Sequence, residues 1–180
     1  KPLYMIGCIN EIGERQKADN ISGLLGETGF RQYMDQQDTP LETGYLLRIG
    51  IDHFKEINDN FGQEYGDFVL RKTADCISGC ISEGQKVYKL VADEFLILDI
   101  SSDEMKDADK LYDKVRGAID KFIESNEFKV MYTISGGIVP FAALEGNQYS
   151  EALKLTDFAL NEAKNLGRNR CYIYNKETYQ

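Results

Sequence analysis

Two apolar runs, Lys86 to Leu90 and Glu94 to Ile100, lie so close together that they must pair antiparallel as a hairpin. That pairing constrains the fold, because the segments around it read as alternating strands and helices. Gly29 to Gln37 is a short helix, Tyr45 to Ile51 an apolar strand and Phe54 to Phe61 a further helix. Glu64 to Cys80 forms a longer helix, with Phe68, Leu70, Ala74 and Ile77 on or near one face. Asp103 to Ser125 carries a long amphipathic helix, Lys129 to Val139 a β-branched strand containing Gly136-Gly137, Ser150 to Leu166 another helix and Arg170 to Tyr174 a closing strand. The expected fold is an α/β (α+β) sandwich, a mixed central sheet flanked by helices.

A chain of 180 residues with 42% hydrophobic content fits one domain with a short appendage. Acidic residues outnumber basic ones 30 to 21, for a net charge of -9, which argues against sequence-independent binding to nucleic acid through a broad basic face. A phosphate ligand therefore needs a local basic pocket. No apolar run approaches a membrane span, and the N-terminus lacks the pattern of a secretory signal. No membrane contact is expected from this segment, and its expected location is the cytoplasm, with tethering of a longer protein left open. The four cysteines, Cys8, Cys76, Cys80 and Cys171, form no CxxC pair, so reduced thiols are expected. Cys76 and Cys80 are spaced i, i+4 on one helix and read as core-facing thiols; the alternative, a zinc site, would have to recruit distant ligands.

Pro2 to Ile9 reads as a short strand, and Asn10 to Asp19 then turns polar and charged, which suggests a boundary. Gly7 to Asp19 resembles the end of a PAS sensor domain, where a final strand runs into a signalling helix. The alternative is an ordinary amphipathic lead-in helix. The expected division is residues 1–18 as the end of an upstream sensor and 19–180 as one domain.

Polar groups gather between Gly50 and Asp67, where a strand ends and helices begin, a place where ligands settle in alternating α/β folds. Asn58 and Asp67 offer an amide and a carboxylate, the functions needed to read the O6, N1 and N2 edge of guanine; equally, both residue types cap helices well. Asp93 and Glu94, in the hairpin connection, offer oxygen ligands of the kind magnesium takes, although turns are rich in aspartate in any case. Ala163 to Arg170 reads as a helix end, with Gly167 at the C-cap and cations suited to the helix dipole.

The order and spacing of these clusters resemble the GGDEF domain family from Asp19 to about Tyr174. Asp19-Asn20-Ile21-Ser22-Gly23-Leu24 resembles the opening D-x-L-T-G-L, and Ile51 to Asp67 resembles I-D-H-F-K-x-I-N-D-x-x-G-H-x-x-G-D. Val91-Ala92-Asp93-Glu94-Phe95 occupies the signature. Thr133 to Ile138 resembles T-x-S-x-G-I, and Asp157 to Asn169 resembles the closing A-D-x-A-L-Y-x-A-K-x-x-G-R-N. The resemblance implies a cyclase-like and polymerase-palm-like fold in which two domains meet, each presenting one GTP, to form cyclic di-GMP. It implies that Asn58 and Asp67 read guanine, that Phe54 and Lys55 also line the nucleotide site, and that Lys164 and Arg168 hold the triphosphate. Asp93 and the Ile51 carbonyl would bind Mg2+, and Asp93 and Glu94 would be the catalytic pair in an active domain.

The departures fall on the metal site. Gly50 stands where the family has an aspartate. Asp52 cannot simply substitute, because two residues along a strand it lies roughly 6 to 7 Å further on, against a magnesium bond near 2 Å. Val91 and Ala92 replace two glycines, which implies a reshaped turn, and Gln63 replaces a histidine. Ser82-Glu83-Gly84-Gln85 replaces the R-x-x-D inhibitory motif. The expectation is a degenerate GGDEF domain with weak or absent Mg2+, impaired as a cyclase and serving a regulatory or GTP-binding role. The alternatives are an active diguanylate cyclase and a structural dimerisation or relay domain. Expected partners are a second copy or neighbouring sensor and EAL-type domains of a longer chain.

Overall fold

The computed structural model describes residues 18–102, 104–125 and 130–177. The expected strand at Pro2 to Ile9 and the PAS-like segment lie outside the described residues. The elements are α1 (Glu27–Asp35), β1 (Tyr45–Ile51), α2 (Phe54–Phe61), α3 (Gln63–Cys80), β2 (Gln85–Lys89), β3 (Glu94–Asp99), α4 (Met105–Ser125), β4 (Ile134–Pro140), a 3-10 turn (Phe141–Ala143), α5 (Gln148–Asn165) and β5 (Cys171–Ile173). They build a five-stranded mixed sheet in the order β2-β3-β1-β4-β5. β1 pairs antiparallel with β3 and β4, β2 with β3 antiparallel, and β5 runs parallel to β4.

β1 is buried along its whole length, as its nearly unbroken apolar run demands of a central strand covered on both faces. Tyr45, Leu47, Ile49 and Ile51 project into a core with α3 and α4, while Leu46 joins Leu96, Leu98, Phe30 and Leu155 on the side of α1 and α5. The α3 stripe is Gly66, Val69, Leu70, Thr73, Ala74, Ile77 and Cys80, so Val69 takes the core position expected of Phe68. Phe68 is half-buried beside the ring of Tyr65, at 5.8 Å between centroids.

Four helix starts differ from expectation by one or two residues, and at two of them side-chain hydrogen bonds at the helix start explain the shift. α5 begins two residues early, where the Asn147 side chain accepts from the Ser150 amide at 3.1 Å. Ahead of α4, the Ser102 hydroxyl donates to Asp107 and accepts from the Glu104 amide at 3.3 Å. β4 starts at Ile134 rather than Lys129, because its partner β1 ends at Ile51, opposite Ile134. Just before it, the Asp52 amide donates to the Thr133 carbonyl at 2.9 Å, past the last paired residue of β1. Helix α5 packs tightly on β4 at Gly137, where a β-carbon would sit 2.3 Å from the Leu160 nitrogen. That close approach lays α5 along β4 and across β1.

Candidate functional site

Strand β1 delivers Arg48 and Gly50 to the face covered by α5, two residues apart on one side of the sheet. Leu160 of α5 stands over Gly50, 3.3 Å from where a β-carbon would be. Arg48 is buried and fully engaged. Its Nε and Nη2 donate to Glu94 Oε1 at 2.7 and 2.6 Å. Its Nη1 donates to the Leu153 carbonyl at 2.9 Å and Thr156 Oγ1 at 3.3 Å, and Asp157 lies 3.8 Å from Nη2. The Glu94 side chain crosses the space above Gly50 to make this pair, its Cγ passing 3.7 Å from the glycine's missing β-carbon.

The connection between β2 and β3 keeps a left-handed position. Ala92 occupies it at φ 59°, while Val91 avoids it and points outward, 71% exposed. An alanine here accepts the conformation a glycine takes freely, and the β-branched residue is spared it. Lys89 braces the turn from inside, its Nζ donating to the carbonyls of Leu90 at 2.6 Å and Ala92 at 2.5 Å. Burial pulls the Lys89 ammonium below its ordinary value, against the nearby carboxylates of Asp19, Asp93 and Glu94. Asp93 follows Ala92 and its carbonyl accepts from the Ile51 amide at 3.3 Å, which brings the turn against the end of β1. Burial pushes the Asp93 carboxyl above its ordinary value; Lys164 opposes this, Glu94 adds to it and Lys89 opposes it. Lys164, in the last turn of α5, and Lys89 are thus the cations whose charge acts on Asp93.

Asn58 and Asp67 lie within α2 and α3, whose N-cap positions are His53 and Gly62, so neither residue caps a helix start. Asn58 Oδ1 is buried without a hydrogen-bond partner. Buried carbonyl oxygens are nearly always paired, and among the described residues only Tyr45 Oη shares this unpartnered state. Phe54 packs against the core beside Gly66, while Lys55 is exposed.

Asp52, next to the expected metal position, is committed elsewhere. It is 3% exposed and accepts from Thr133 Oγ1 and Ser135 Oγ, each at 2.6 Å, and from the Asn169 amide at 3.1 Å. The last of these holds the loop after α5. That helix ends in a Schellman motif, with Arg168 N donating to the Ala163 carbonyl and Gly167 N to the Lys164 carbonyl, at 3.1 and 3.2 Å. Gly167, Arg168 and Asn169 all have positive φ, and Arg168 is exposed on the resulting bend.

For a divalent cation the donor set falls short. Gly50 offers no carboxylate and Glu94 is held by Arg48, which leaves Asp93 and backbone carbonyls, whereas magnesium favours an octahedral shell of oxygens with carboxylates among them. Among the described residues no group of three or more His, Cys, Asp or Glu is gathered around one point. Cys76, Cys80 and Cys171 are free, and Cys80 is buried in the core with Cys76 packed beside it. Among the described residues no helix is long and apolar enough to cross a membrane.

Sequence reasoning passed over Arg48 and Lys89. A charge in the middle of Tyr45-Leu46-Leu47-Arg48-Ile49-Gly50-Ile51 was the available signal, since a buried charge requires a partner. Lys89, at the end of β2 beside the turn, gave no comparable sign.

Residues 16–170 match the family model described as "Diguanylate cyclase, GGDEF domain". The diguanylate cyclase VdcA of Vibrio cholerae is 30% identical over 156 residues, which cover 84% of this chain and 45% of VdcA. The chain spans about half the length of the curated relatives it matches. The GGDEF domain of YfiN (TpbB) from Pseudomonas aeruginosa superposes with a TM-score of 0.74 at 26% identity, covering 86% of this chain and 98% of that one. The S helix-GGDEF-EAL portion of Vibrio cholerae LapD, bound to c-di-GMP, shares the fold with a TM-score of 0.75 at 19% identity, covering all of this chain and 42% of that one. A family match over most of the chain, together with the same mixed sheet in those solved structures, establishes that the chain belongs to the GGDEF family of diguanylate cyclase domains, which work in cyclic di-GMP signalling.

Proposed function

We propose that this is a GTP-binding, regulatory GGDEF domain of cyclic di-GMP signalling in which the cyclase chemistry is impaired. The observation that carries this reading is the Arg48–Glu94 ion pair lying over Gly50, together with an unpartnered Asn58 oxygen between α2 and α3. The nucleotide-reading positions are kept while the metal-binding positions are spent on an internal contact. On this reading Asn58 and Asp67 read the guanine edge, Phe54 and Lys55 border the nucleotide, and Lys164 and Arg168 take the triphosphate. Asp93 with the Ile51 carbonyl holds Mg2+ weakly or not at all. Phosphoryl transfer depends on cations that neutralise developing charge, so losing a metal ligand harms turnover more than binding.

The same reading places the boundary before Asp19, whose carboxylate accepts from the amides of Ile21 and Ser22 at 3.2 and 2.7 Å and so opens the domain with a closed turn. Residues 1–18 then belong to an upstream sensor segment. The domain acts on the cytoplasmic side as a homodimer or beside sensor and EAL-type domains, an arrangement supported by the S helix-GGDEF-EAL organisation of LapD.

Calorimetric titration with GTP, run beside a turnover assay with Mg2+, tests the reading. Saturable GTP binding with little or no cyclic di-GMP is expected. Efficient product formation, or no binding of GTP at all, would defeat it.

A further inference from the structure

We propose that the Arg48 guanidinium is the resident cation of this half-site, holding Glu94 closed so that the site takes no divalent metal and binds a nucleoside triphosphate without one. The second half of this statement rests on the reading of the site as a GTP site; the first half does not.

Arg48 and Gly50 are on one face of one strand, so the half-site lacks a carboxylate at position 50 and gains a guanidinium one strand-repeat away. Two nitrogens of that guanidinium converge on a single Glu94 oxygen, at 2.7 and 2.6 Å, and a third is anchored to α5 through the Leu153 carbonyl and Thr156. Every element around the pair contributes: β1 gives the arginine, β3 the glutamate, and α5 the carbonyl and hydroxyl. The arginine side chain is 10% exposed and the glutamate side chain 17%, so solvent competes little for either. A guanidinium fixed by its own planar fork and tethered to the strand has no entropy of capture to lose, unlike a metal drawn from solution. Glu94 therefore has its counter-charge built in.

The glycine is part of the same arrangement. Glu94 Cγ passes 3.7 Å from the point where a β-carbon on residue 50 would sit. An aspartate there would set a second carboxylate beside Glu94 and within the field of the same guanidinium. Restoring the aspartate alone would hand Arg48 a second anion rather than open a metal site. For a triphosphate, the cations then left are Lys164, whose charge acts on Asp93, and Arg168 on the bend after α5. Both are protein groups, so their attraction for phosphate does not require a metal to bridge it.

Manganese serves as the probe. Mn2+ is titrated into the protein alone and followed by electron paramagnetic resonance, for the natural chain, Gly50→Asp, and the double variant Arg48→Gln with Gly50→Asp. The natural chain and the single variant are expected to leave the free-ion signal unchanged at micromolar protein, and the double variant to bind at least about tenfold more tightly. Tight Mn2+ binding by the natural chain, or by Gly50→Asp as strongly as by the double variant, would overturn the proposal. Calorimetry of GTP with the natural chain, in EDTA and in Mg2+, supplies a second arm that needs no variant to fold. Affinities within about threefold of each other are expected, and binding lost in EDTA would overturn the proposal. No binding of GTP under either condition would instead defeat the GTP reading, with the manganese titration still deciding the role of Arg48.

Discussion

A β-carbon on Gly66 would stand 1.7 Å from Asn58 Oδ1, so the first helix after β1 and the second share one small space between these two residues. The glycine leaves room for the amide oxygen, which is buried without a hydrogen-bond partner among the described residues. Gly66→Ala would gain about 1 kcal/mol of helix propensity, but the clash with Asn58 is expected to outweigh it and leave a net loss of roughly 1–2 kcal/mol. Displacing Asn58 should also weaken GTP at least about tenfold. Urea denaturation and calorimetry measure the two effects separately, and unchanged GTP affinity in the folded variant would remove Asn58 from the site.

Ala92 sits at φ 59° in the signature turn. Left-handed backbone is unfavourable for a residue with a β-carbon by about 1 kcal/mol, so Ala92→Gly is expected to stabilise the domain by roughly that amount. Val91, exposed and outside that conformation, supplies the control: Val91→Gly should be neutral or destabilising. Equal effects of the two glycines on the denaturation midpoint would refute this assignment of strain.

Much of this architecture was legible because burial wrote it into the chain. β1 and α2 were expected at the bounds they have, since an apolar run covered on both faces and a short helix closed by Gly62 leave little freedom. The run from Ile51 to Asp67 likewise put Asn58 and Asp67 on consecutive helices. What escaped was relational. Whether β4 began at Lys129 or Ile134 depended on where β1 stopped, which no local pattern around residue 130 records. Which of Val91 and Ala92 met the positive φ depended on the hairpin register. The engagement of Glu94 by Arg48 depended on two strands and α5 meeting, so the glutamate read as a free ligand until its partner was in view.

Acid stability should report the network around Asp99. Burial alone would raise this carboxyl, but hydrogen bonds from Gln85 Nε2 at 2.8 Å and from the Ser101 hydroxyl and amide at 2.6 and 2.7 Å overcome that and hold it below its ordinary value of 3.8. A depressed folded-state carboxyl contributes stability that is present above the unfolded value and lost as pH falls through the folded one. The domain should therefore lose stability as the pH drops below about 4, and Asp99→Asn should flatten that dependence while lowering stability at neutral pH. Parallel pH profiles of the two proteins would count against Asp99 as a contributor.

Asp52 joins three parts of the molecule, accepting from Thr133 and Ser135 at the start of β4 and from the Asn169 amide in the loop that carries Arg168. Removing a buried acceptor leaves its donors unpaired, so Asp52→Ala should cost about 2–4 kcal/mol of stability. Asp52→Asn keeps the shape but turns an amide NH2 toward one of the donors, and an intermediate loss is expected. The loop makes the sharper test. Arg168 and Asn169 both hold positive φ, a strained run that the Asp52 contact helps to fix. With the contact weakened, Arg168 should lose its set position and GTP should bind several-fold more weakly in folded Asp52→Asn protein, while an analogue lacking the triphosphate should be unaffected. Equal losses for GTP and guanosine would mean that Asp52 supports the core alone and does not position the phosphate-facing bend.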